Sequence, residues 1–283
     1  MSGQENSTQR TIKLLIQIQE LHIARAQKKA TQPNSRLKKL NDTVDSLIAE
    51  IPDAYSAKFV NLLNRDPLAI APITGTACSA CAMALPIGTV NEIRANHELV
   101  SCEACARFLY YPEDQPKGVP PKKTSTPKTG ISRFSCTDLM IPRMTAKTSE
   151  DVLVEIANTL SKHGFVDDGE KLAEEAIKRE ILMSTAVENA IAFPHVRGIE
   201  GGGLTLALGT HKKGIQFGGP GGKLTRIFFF MTIPTVTSGF YLKLVAGLCQ
   251  TFDCRENCDA LLQAETPEEL WNALNKATKK LIR

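Results

Sequence analysis

The chain has 283 residues, 42% of them hydrophobic and 23% charged, with a formal net charge of +4 at pH 7. This composition is typical of globular domains and argues against a largely disordered chain. The charge is too small to predict a nucleic-acid-binding face, and no apolar run approaches the roughly 18 residues of a membrane helix. The amino terminus lacks the layout of a secretory signal, so we expect a cytoplasmic protein without membrane insertion.

Residues 1–66 are predicted to form a helical hairpin that resembles a coiled coil. Leu14, Ile18 and Leu21 recur at spacings of four and three, which places them on one helix face. The second run repeats apolar residues in the same way, at Leu37, Leu40, Val44 and Leu47. Pro33 separates the two runs because its ring disfavours helical geometry. The apolar seam needs a partner within the chain or in a second copy, and we expect a homo-oligomer through these helices.

Residues 67–112 contain two Cys-x-x-Cys knuckles separated by 20 residues, formed by Cys78, Cys81, Cys102 and Cys105. Four thiolates supplied in two pairs can complete a tetrahedral zinc shell. Disulfide pairing is the alternative, but it conflicts with a reducing compartment. A closed four-sulfur shell leaves no position for water, so the zinc is expected to be structural.

The stretches CSACAMALP, NEIR and ELVSCEACARFLYYP lie between Ile51 and Tyr111. They resemble a family of bacterial proteins with a helical hairpin followed by a four-cysteine zinc ribbon. In that pattern NEIR, residues 91–94, is expected to be a strand. The resemblance implies an interaction with nucleic acid or with a regulatory protein.

Residues 113–133 are predicted to be a linker. The stretch from 111 to 130 carries five prolines and four lysines, a composition that cannot form a packed core.

Residues 134–283 are predicted to form a domain of the α/β class, with a mixed sheet flanked by helices. Thr148 precedes Asp151 by three residues, a spacing typical of a capping box at a helix start. The same spacing separates Thr266 from Glu269. The apolar runs GLTLALGTH and TRIFFFMTIP are bounded by Gly and Pro and indicate strands, the second buried on both faces.

His195 follows the predicted strand AIAF and precedes the predicted loop VRGIEGGG. A side chain at a strand end beside a glycine-rich loop is positioned for chemistry. The residues alone leave two interpretations, a reactive group or a histidine buried in the core, because no base or metal ligand is evident nearby in the sequence.

The stretch REILMSTAVENAIAFPHVR resembles the signature of the type-2 enzyme IIA domains of the phosphoenolpyruvate-dependent sugar phosphotransferase system (PTS), the fructose, mannitol and nitrogen-regulatory branch. The matching positions are Arg179, Glu180, Ser184, Thr185, Ile191, Ala192, Pro194 and His195. The similarity extends over residues 138–283. It implies that His195 accepts a phosphoryl group.

An imidazole near pKa 6.5 offers a ring nitrogen lone pair at neutral pH, which suits such a relay. Arg179 is expected to pair with phosphate oxygens through its guanidinium, although pairing with Glu175 is the alternative. Thr185 is a candidate hydrogen-bond donor or a strand residue.

The sequence departs from the family at one position. A second histidine commonly opens the helix after the proline-ended strand, and Tyr241 stands there instead. A tyrosine hydroxyl can form a hydrogen bond but cannot carry a positive charge. The substitution leaves room for a weakened or regulatory domain.

The remaining histidines and cysteines receive no catalytic role. His211 is expected in an exposed loop. Cys249, Cys254 and Cys258 are expected to be structural thiols, since small buried thiols are common in cores.

The leading hypothesis is therefore a phosphotransferase-type relay. His195 accepts a phosphoryl group from a histidine phosphocarrier protein and passes it to downstream PTS subunits, in sugar uptake or its regulation, and the zinc ribbon serves as an interaction module. The alternative is a regulatory protein that binds nucleic acid or another protein and whose IIA-like domain senses without transfer. Tyr241 and the lysines of the linker favour this alternative. A scaffold with a vestigial histidine is the third interpretation.

Overall fold

The computed structural model describes residues 7–31, 37–112, 115–120, 129–279 and 281. The chain divides into two compact units, Met1–Asp114 and Gln115–Arg283. Over the described residues, no helix has the length and apolar character needed to span a bilayer.

The first unit combines four helices with a three-stranded sheet. The helices are α1 (Ser7–Thr31), α2 (Lys38–Ala49), α3 (Asp53–Arg65) and α4 (Ile87–Ala95), and the strands are β1 (Ile70–Thr74), β2 (Ala77–Cys78) and β3 (Phe108–Tyr110). The strand order is β2-β1-β3, with β2 antiparallel and β3 parallel to β1. Pro33, the predicted break between the first two helices, lies outside the described residues.

Part of the apolar seam of the predicted hairpin is covered by other residues of the first unit. Ile18 and Leu21 of α1 share one core with Val44 of α2 and Phe59 of α3, a helix that the sequence analysis does not predict. The buried amide oxygen of Gln19 also accepts hydrogen bonds from the backbone N–H groups of Ala69 and Ile70, at 2.7 and 2.9 Å. Part of the seam is therefore covered within the unit, while Leu14, Leu40 and Leu47 are only partly buried. A homo-oligomer through these helices stays a prediction.

The stretch predicted as a strand, residues 91–94, lies in helix α4, so that prediction is wrong. Val90 and Ile93 are buried at a spacing of three, which matches the helical repeat. Asn96 adopts a left-handed conformation, φ 52°, directly after the helix and ends it.

The second unit is a mixed sheet with helices around it, which confirms the predicted α/β class. Its helices are α5 (Ser149–Lys162), α6 (Gly169–Leu182), α7 (Ser238–Thr251), α8 (Arg255–Gln263) and α9 (Pro267–Thr278). Its strands are β4 (Met140–Ile141), β5 (Ile191–Ala192), β6 (His195–Arg197), β7 (Thr205–Ile215) and β8 (Thr225–Ile233).

The antiparallel pair β7–β8 forms the centre of this sheet, and β4 extends it beside β7. On the other side, β5 and β6 both pair in parallel with β8, one after the other along the same edge. β8 is buried along almost its whole length, as its unbroken apolar sequence predicts.

Two sequence predictions about loops are wrong. Val196 and Arg197 belong to β6, because they pair with Thr232 and Ile233 of β8. His211 lies in strand β7, and its Nδ1 atom accepts a hydrogen bond from the backbone of Gly214 at 2.8 Å.

Part of the predicted linker is packed rather than free. The backbone N–H of Gly118 donates to the carbonyl of Glu200 at 2.8 Å, and that of Val119 donates to the carbonyl of Phe165 at 3.0 Å. Residues 129–133 enter a short 3-10 helix in which Ile131 is buried. The predicted linker character thus stays a prediction for residues 121–128, which are outside the described part of the chain.

Both predicted capping boxes are present in the second unit. The Thr148 hydroxyl accepts the N–H of Asp151 at 3.1 Å, and the Asp151 carboxylate accepts the N–H of Thr148 at 2.9 Å. Thr266 and Glu269 form the same reciprocal pair at the start of α9.

Replacing Thr148 with alanine removes one half of a capping box, so we expect the second unit to lose about 1 kcal/mol of stability. The only tryptophan, Trp271, packs against the core of this unit. Its fluorescence during urea unfolding therefore reports on this unit. Thr148→Ala should lower the urea midpoint, while Ser149→Ala, one position later, should leave it nearly unchanged. Equal midpoints for the two variants contradict this account of the helix start.

Candidate functional site

His195 opens strand β6, and its side chain is almost completely buried. Only 1% of the residue is exposed. Its Nδ1 atom lies 3.0 Å from the carbonyl oxygen of Phe193 and 3.0 Å from the hydroxyl oxygen of Tyr241. The ring is therefore held through one nitrogen.

The contact with the Phe193 carbonyl selects one form of the neutral ring. A backbone carbonyl only accepts hydrogen bonds, so Nδ1 must carry the hydrogen to bond Phe193. The Tyr241 oxygen can accept the same hydrogen. This assignment leaves Nε2 with a free lone pair, the form in which a histidine acts as a nucleophile.

The segment before His195 fixes the position of that carbonyl. The Phe193 N–H donates to the Thr185 carbonyl at 3.2 Å, and the Pro194 carbonyl accepts the N–H of Met231 at 3.0 Å. Pro194 has no N–H of its own, which interrupts the pairing with β8 between β5 and β6. Phe193 is thus held between a loop and the sheet, with its carbonyl directed at the imidazole.

Arg179 lies in the last turn of α6 and is 8% exposed. Its Nη1 atom donates to the Met183 carbonyl at 2.9 Å. Its Nε and Nη2 atoms are buried, and no described residue accepts a hydrogen bond from them. The alternative pairing with Glu175 does not occur, since Glu175 pairs with Lys178 at 2.8 Å. Two guanidinium donors are therefore available for an anion.

Burial lowers the pKa of His195 well below its usual value, and the positive charges of Arg179 and Arg197 lower it further. A neutral imidazole is the result at neutral pH. It retains the lone pair that a protonated ring lacks.

Thr185 does not direct its hydroxyl at His195. That hydroxyl donates to the Glu180 carboxylate at 2.8 Å, and the Thr185 N–H donates to the same carboxylate at 2.6 Å. Burial raises the pKa of the Glu180 carboxyl, against the effect of these hydrogen bonds. The structure thus places Thr185 in a loop. Its bonds to Glu180 fix the position of its own backbone carbonyl, which accepts the N–H of Phe193.

Tyr241 is fully buried on α7, and its ring centroid lies 5.0 Å from that of His195. The structure therefore brings the residue that stands in place of the family's second histidine into contact with the first. Arg197, which the sequence analysis does not assign to the site, places its Cζ atom 4.8 Å from the centre of the Tyr241 ring. The available signal was its spacing of two from His195, because residues i and i+2 of a strand share a face.

The four knuckle cysteines form the only group of three or more His, Cys, Asp or Glu ligand atoms that could hold a metal within the described ranges. Their sulfur atoms all lie within 4.8 Å of one another. Cys78 Sγ is 3.8 Å from Cys105 Sγ, and Cys81 Sγ is 3.7 Å from Cys102 Sγ. All four are free thiols.

The two knuckles have the same backbone design. Ala82 and Ala106 follow the second cysteine of each pair in the left-handed conformation, with φ of 60° and 63°. Each alanine N–H donates a hydrogen bond to the carbonyl of the first cysteine of its pair, with an N···O distance of 2.8 Å. The repeated turn brings each pair of sulfurs to the same side of its loop.

The sulfur positions fit zinc. Zinc–sulfur bonds of about 2.3 Å in a tetrahedron place sulfurs about 3.8 Å apart, which agrees with the two distances above. Burial raises the pKa of the Cys105 thiol, but hydrogen bonds from the backbone and side chain of Arg107, and from neighbouring thiols, lower it to about 7. Cys105 therefore reaches the thiolate form more easily than Cys78 and Cys81, whose pKa values are raised by burial.

Comparisons with known proteins agree with this division of the chain. Residues 136–277 match the family described as "Phosphoenolpyruvate-dependent sugar phosphotransferase system, EIIA 2". Residues 77–109 match the C4-type zinc ribbon domain, which includes all four cysteines of the cluster.

Among curated proteins, the chain is similar to the PTS system fructose-specific EIIABC component of Bacillus subtilis (strain 168). The two are 24% identical over 134 residues, 47% of this chain and 21% of the relative. The chain thus spans about a fifth of the length of that relative.

Among solved structures, it is similar to the nitrogen regulatory protein IIA-Ntr from Neisseria meningitidis, with 20% identity and a TM-score of 0.46. That match covers 50% of this chain and 97% of the other. IIA mannitol from Escherichia coli has 18% identity and a TM-score of 0.42, over 49% and 97% of the two chains.

The EIIA match takes in half of the 283 residues and includes Arg179, His195 and Tyr241. The chain belongs to the EIIA type-2 family of the phosphoenolpyruvate-dependent sugar phosphotransferase system.

Proposed function

We propose that this protein is a cytoplasmic phosphocarrier that accepts a phosphoryl group on Nε2 of His195. A histidine phosphocarrier protein supplies the group, and downstream PTS subunits receive it in sugar uptake or its regulation. One observation carries the proposal: Nδ1 of His195 is bound to the Phe193 carbonyl, and Arg179 keeps two buried guanidinium donors without an acceptor among the described residues.

The proposed step conserves atoms and charge. The lone pair of Nε2 attacks the phosphorus of the donor's phosphohistidine, and a new P–N bond forms. The P–N bond of the donor breaks, and its electron pair returns to the donor ring. The hydrogen on Nδ1 of His195 stays in its bond to the Phe193 carbonyl. The carbonyl oxygen stabilises the positive charge that develops on the ring.

Arg179 contributes charge rather than covalent chemistry. Phosphoryl transfer is mainly a matter of positioning and of neutralising charge on the equatorial oxygens. A guanidinium presents several donors in a planar fork, and such bonds to phosphate are about twice as strong as neutral ones. The bond from Nη1 to the Met183 carbonyl orients this fork and leaves the other donors for phosphate.

Transfer also requires the site to open. With 1% of His195 exposed, no donor protein can reach Nε2 in the observed conformation. The neutral ring, with its low pKa, remains ready to react when neighbouring groups move aside. We therefore assign the observed conformation to the resting state of the relay.

Incubation with phosphoenolpyruvate and the general phosphocarriers should label the wild-type protein, because Nε2 of His195 holds a free lone pair. His195→Ala should abolish the label, and His211→Gln should retain it, since His211 lies in β7 with its ring bonded to Gly214. Labelled protein is quantified by phosphohistidine detection under alkaline conditions. An unlabelled wild type, or equal labelling of His195→Ala, contradicts the proposal.

For the first unit we propose a structural zinc ion held by Cys78, Cys81, Cys102 and Cys105. Bound zinc polarises no substrate here, because four sulfurs complete its shell. It joins the two knuckles and thereby stabilises the small core of Ile73, Val90 and Ile93 beside them. The large exposed apolar residues near the first knuckle, Met83 and Ile87, favour a protein over nucleic acid as the partner of this module.

Purified wild-type protein should contain about one zinc ion per chain, because the four sulfurs complete one tetrahedral shell. Cys102→Ser should bind far less zinc and unfold the first unit at lower temperature, since the metal contributes folding free energy. The matched control is Cys254→Ser, an exposed cysteine of the second unit. Metal content is measured by elemental analysis. Equal zinc content in both variants rules out this site.

A further inference from the structure

We infer that Arg197 is a second binding cation for the phosphoryl group on His195, and that the ring of Tyr241 positions it. This inference rests on the proposed function in one respect, the phosphorylation of His195. It adds a residue that lies outside the helix carrying Arg179.

The strand places the two side chains together. His195 and Arg197 are separated by one residue in β6, so their side chains leave the same face of the sheet. Pairing of His195 with Met231 and of Arg197 with Ile233 fixes both positions against β8. Arg197 therefore keeps its register relative to the imidazole, whatever happens in the loops around the site.

Tyr241 contacts both residues with one ring. Its centroid is 5.0 Å from the His195 ring centroid and 4.8 Å from the Arg197 Cζ atom. A guanidinium at this distance is attracted to an aromatic face, more strongly when water is excluded. The Arg197 Nε, Nη1 and Nη2 atoms are all shielded from solvent. The aromatic ring thus holds a desolvated cation beside the reactive histidine.

The charge of the product makes a second cation useful. A protein-bound phosphoryl group carries about two negative charges at neutral pH, and burying unpaired charge is costly. Arg179 supplies one positive charge from α6. Arg197 supplies a second from β6, so that two guanidinium groups are available to pair with the negatively charged phosphoryl oxygens. Among the described residues, the charged groups that act on His195 are Arg179 of α6 and Arg197 of β6, and the titratable group in contact with its ring is Tyr241 of α7.

The test measures the electrostatic field at the phosphorus atom. Phosphoramidate, a small-molecule phosphoryl donor, is used to phosphorylate His195 in the full-length protein, and the phosphoryl group is titrated by ³¹P NMR. A nearby cation favours the dianion and lowers its pKa, by about 1–3 units for a close pair. Removing the cation in Arg197→Gln should raise this pKa by about one unit or more.

Three further variants separate charge from structure. Arg197→Lys keeps the charge and should restore most of the wild-type pKa. Arg226→Gln removes an arginine at the far end of β8 and should leave the pKa unchanged. Tyr241→Leu removes the aromatic ring and should shift the pKa in the direction of Arg197→Gln, whereas Tyr241→Phe, which retains the ring, should shift it less. Trp271 fluorescence verifies that each variant is folded.

The outcomes distinguish the two proposals. If phosphoramidate labels His195 with the expected pKa pattern but phosphocarriers do not, the proposed relay fails and the role of Arg197 stands. If the pKa in Arg197→Gln equals the wild-type value, or if Arg197→Lys behaves like Arg197→Gln, the inference about Arg197 is wrong. If neither phosphoramidate nor the phosphocarriers label His195, both proposals are wrong.

Discussion

The hydrogen bond from Nδ1 of His195 to the carbonyl of Phe193 is the interaction on which the account of this site depends. It is local, since only Pro194 separates the two residues, yet its geometry depends on the whole sheet. β5 and β6 pair in succession with β8, and the break at Pro194 turns the Phe193 carbonyl toward the ring. Any change in strand register would move the Phe193 carbonyl away from the ring. The imidazole could then carry its hydrogen on Nε2 instead of Nδ1.

The loop after α6 connects this hydrogen bond to the guanidinium of Arg179. Glu180 binds Thr185 through two hydrogen bonds, Thr185 accepts the N–H of Phe193, and Met183 accepts a donor of Arg179. One short segment therefore positions the guanidinium and the imidazole together. Since a neutral hydrogen bond contributes about 1 kcal/mol, the effect lies in geometry rather than in stability. The proposed relay would need such preorganisation, because phosphoryl transfer depends mainly on positioning and charge neutralisation.

Local sequence patterns predicted the features that are formed by residues close together in the chain, such as helix starts, a buried strand and the cysteine knuckles. Thr148 with Asp151 predicted a helix start, and the apolar run of β8 predicted a buried strand. Paired cysteines predicted a four-sulfur cluster, because each knuckle is formed by a few consecutive residues. The helical position of residues 91–94 was missed, since the expectation came from a resemblance and overlooked the spacing of Val90 and Ile93.

Features that depend on the folded chain were beyond the sequence. Nothing in the spacing of Arg197 and Tyr241, 44 residues apart, indicates that a guanidinium lies on that ring. The same holds for the cover that α3 provides for the apolar seam of α1, and for the near-complete burial of His195. These contacts form when distant segments pack, and a hydrophobic pattern specifies only that packing occurs.

The form of the His195 ring is the most direct test of the central claim. Two-bond ¹H–¹⁵N correlation spectra of protein with ¹⁵N-labelled histidine distinguish a protonated from an unprotonated ring nitrogen. The account predicts a neutral His195 with hydrogen on Nδ1 and none on Nε2 at pH 7, and a phosphoryl group on Nε2 after phosphorylation. Hydrogen on Nε2 in the resting protein, or phosphorus on Nδ1, would contradict it.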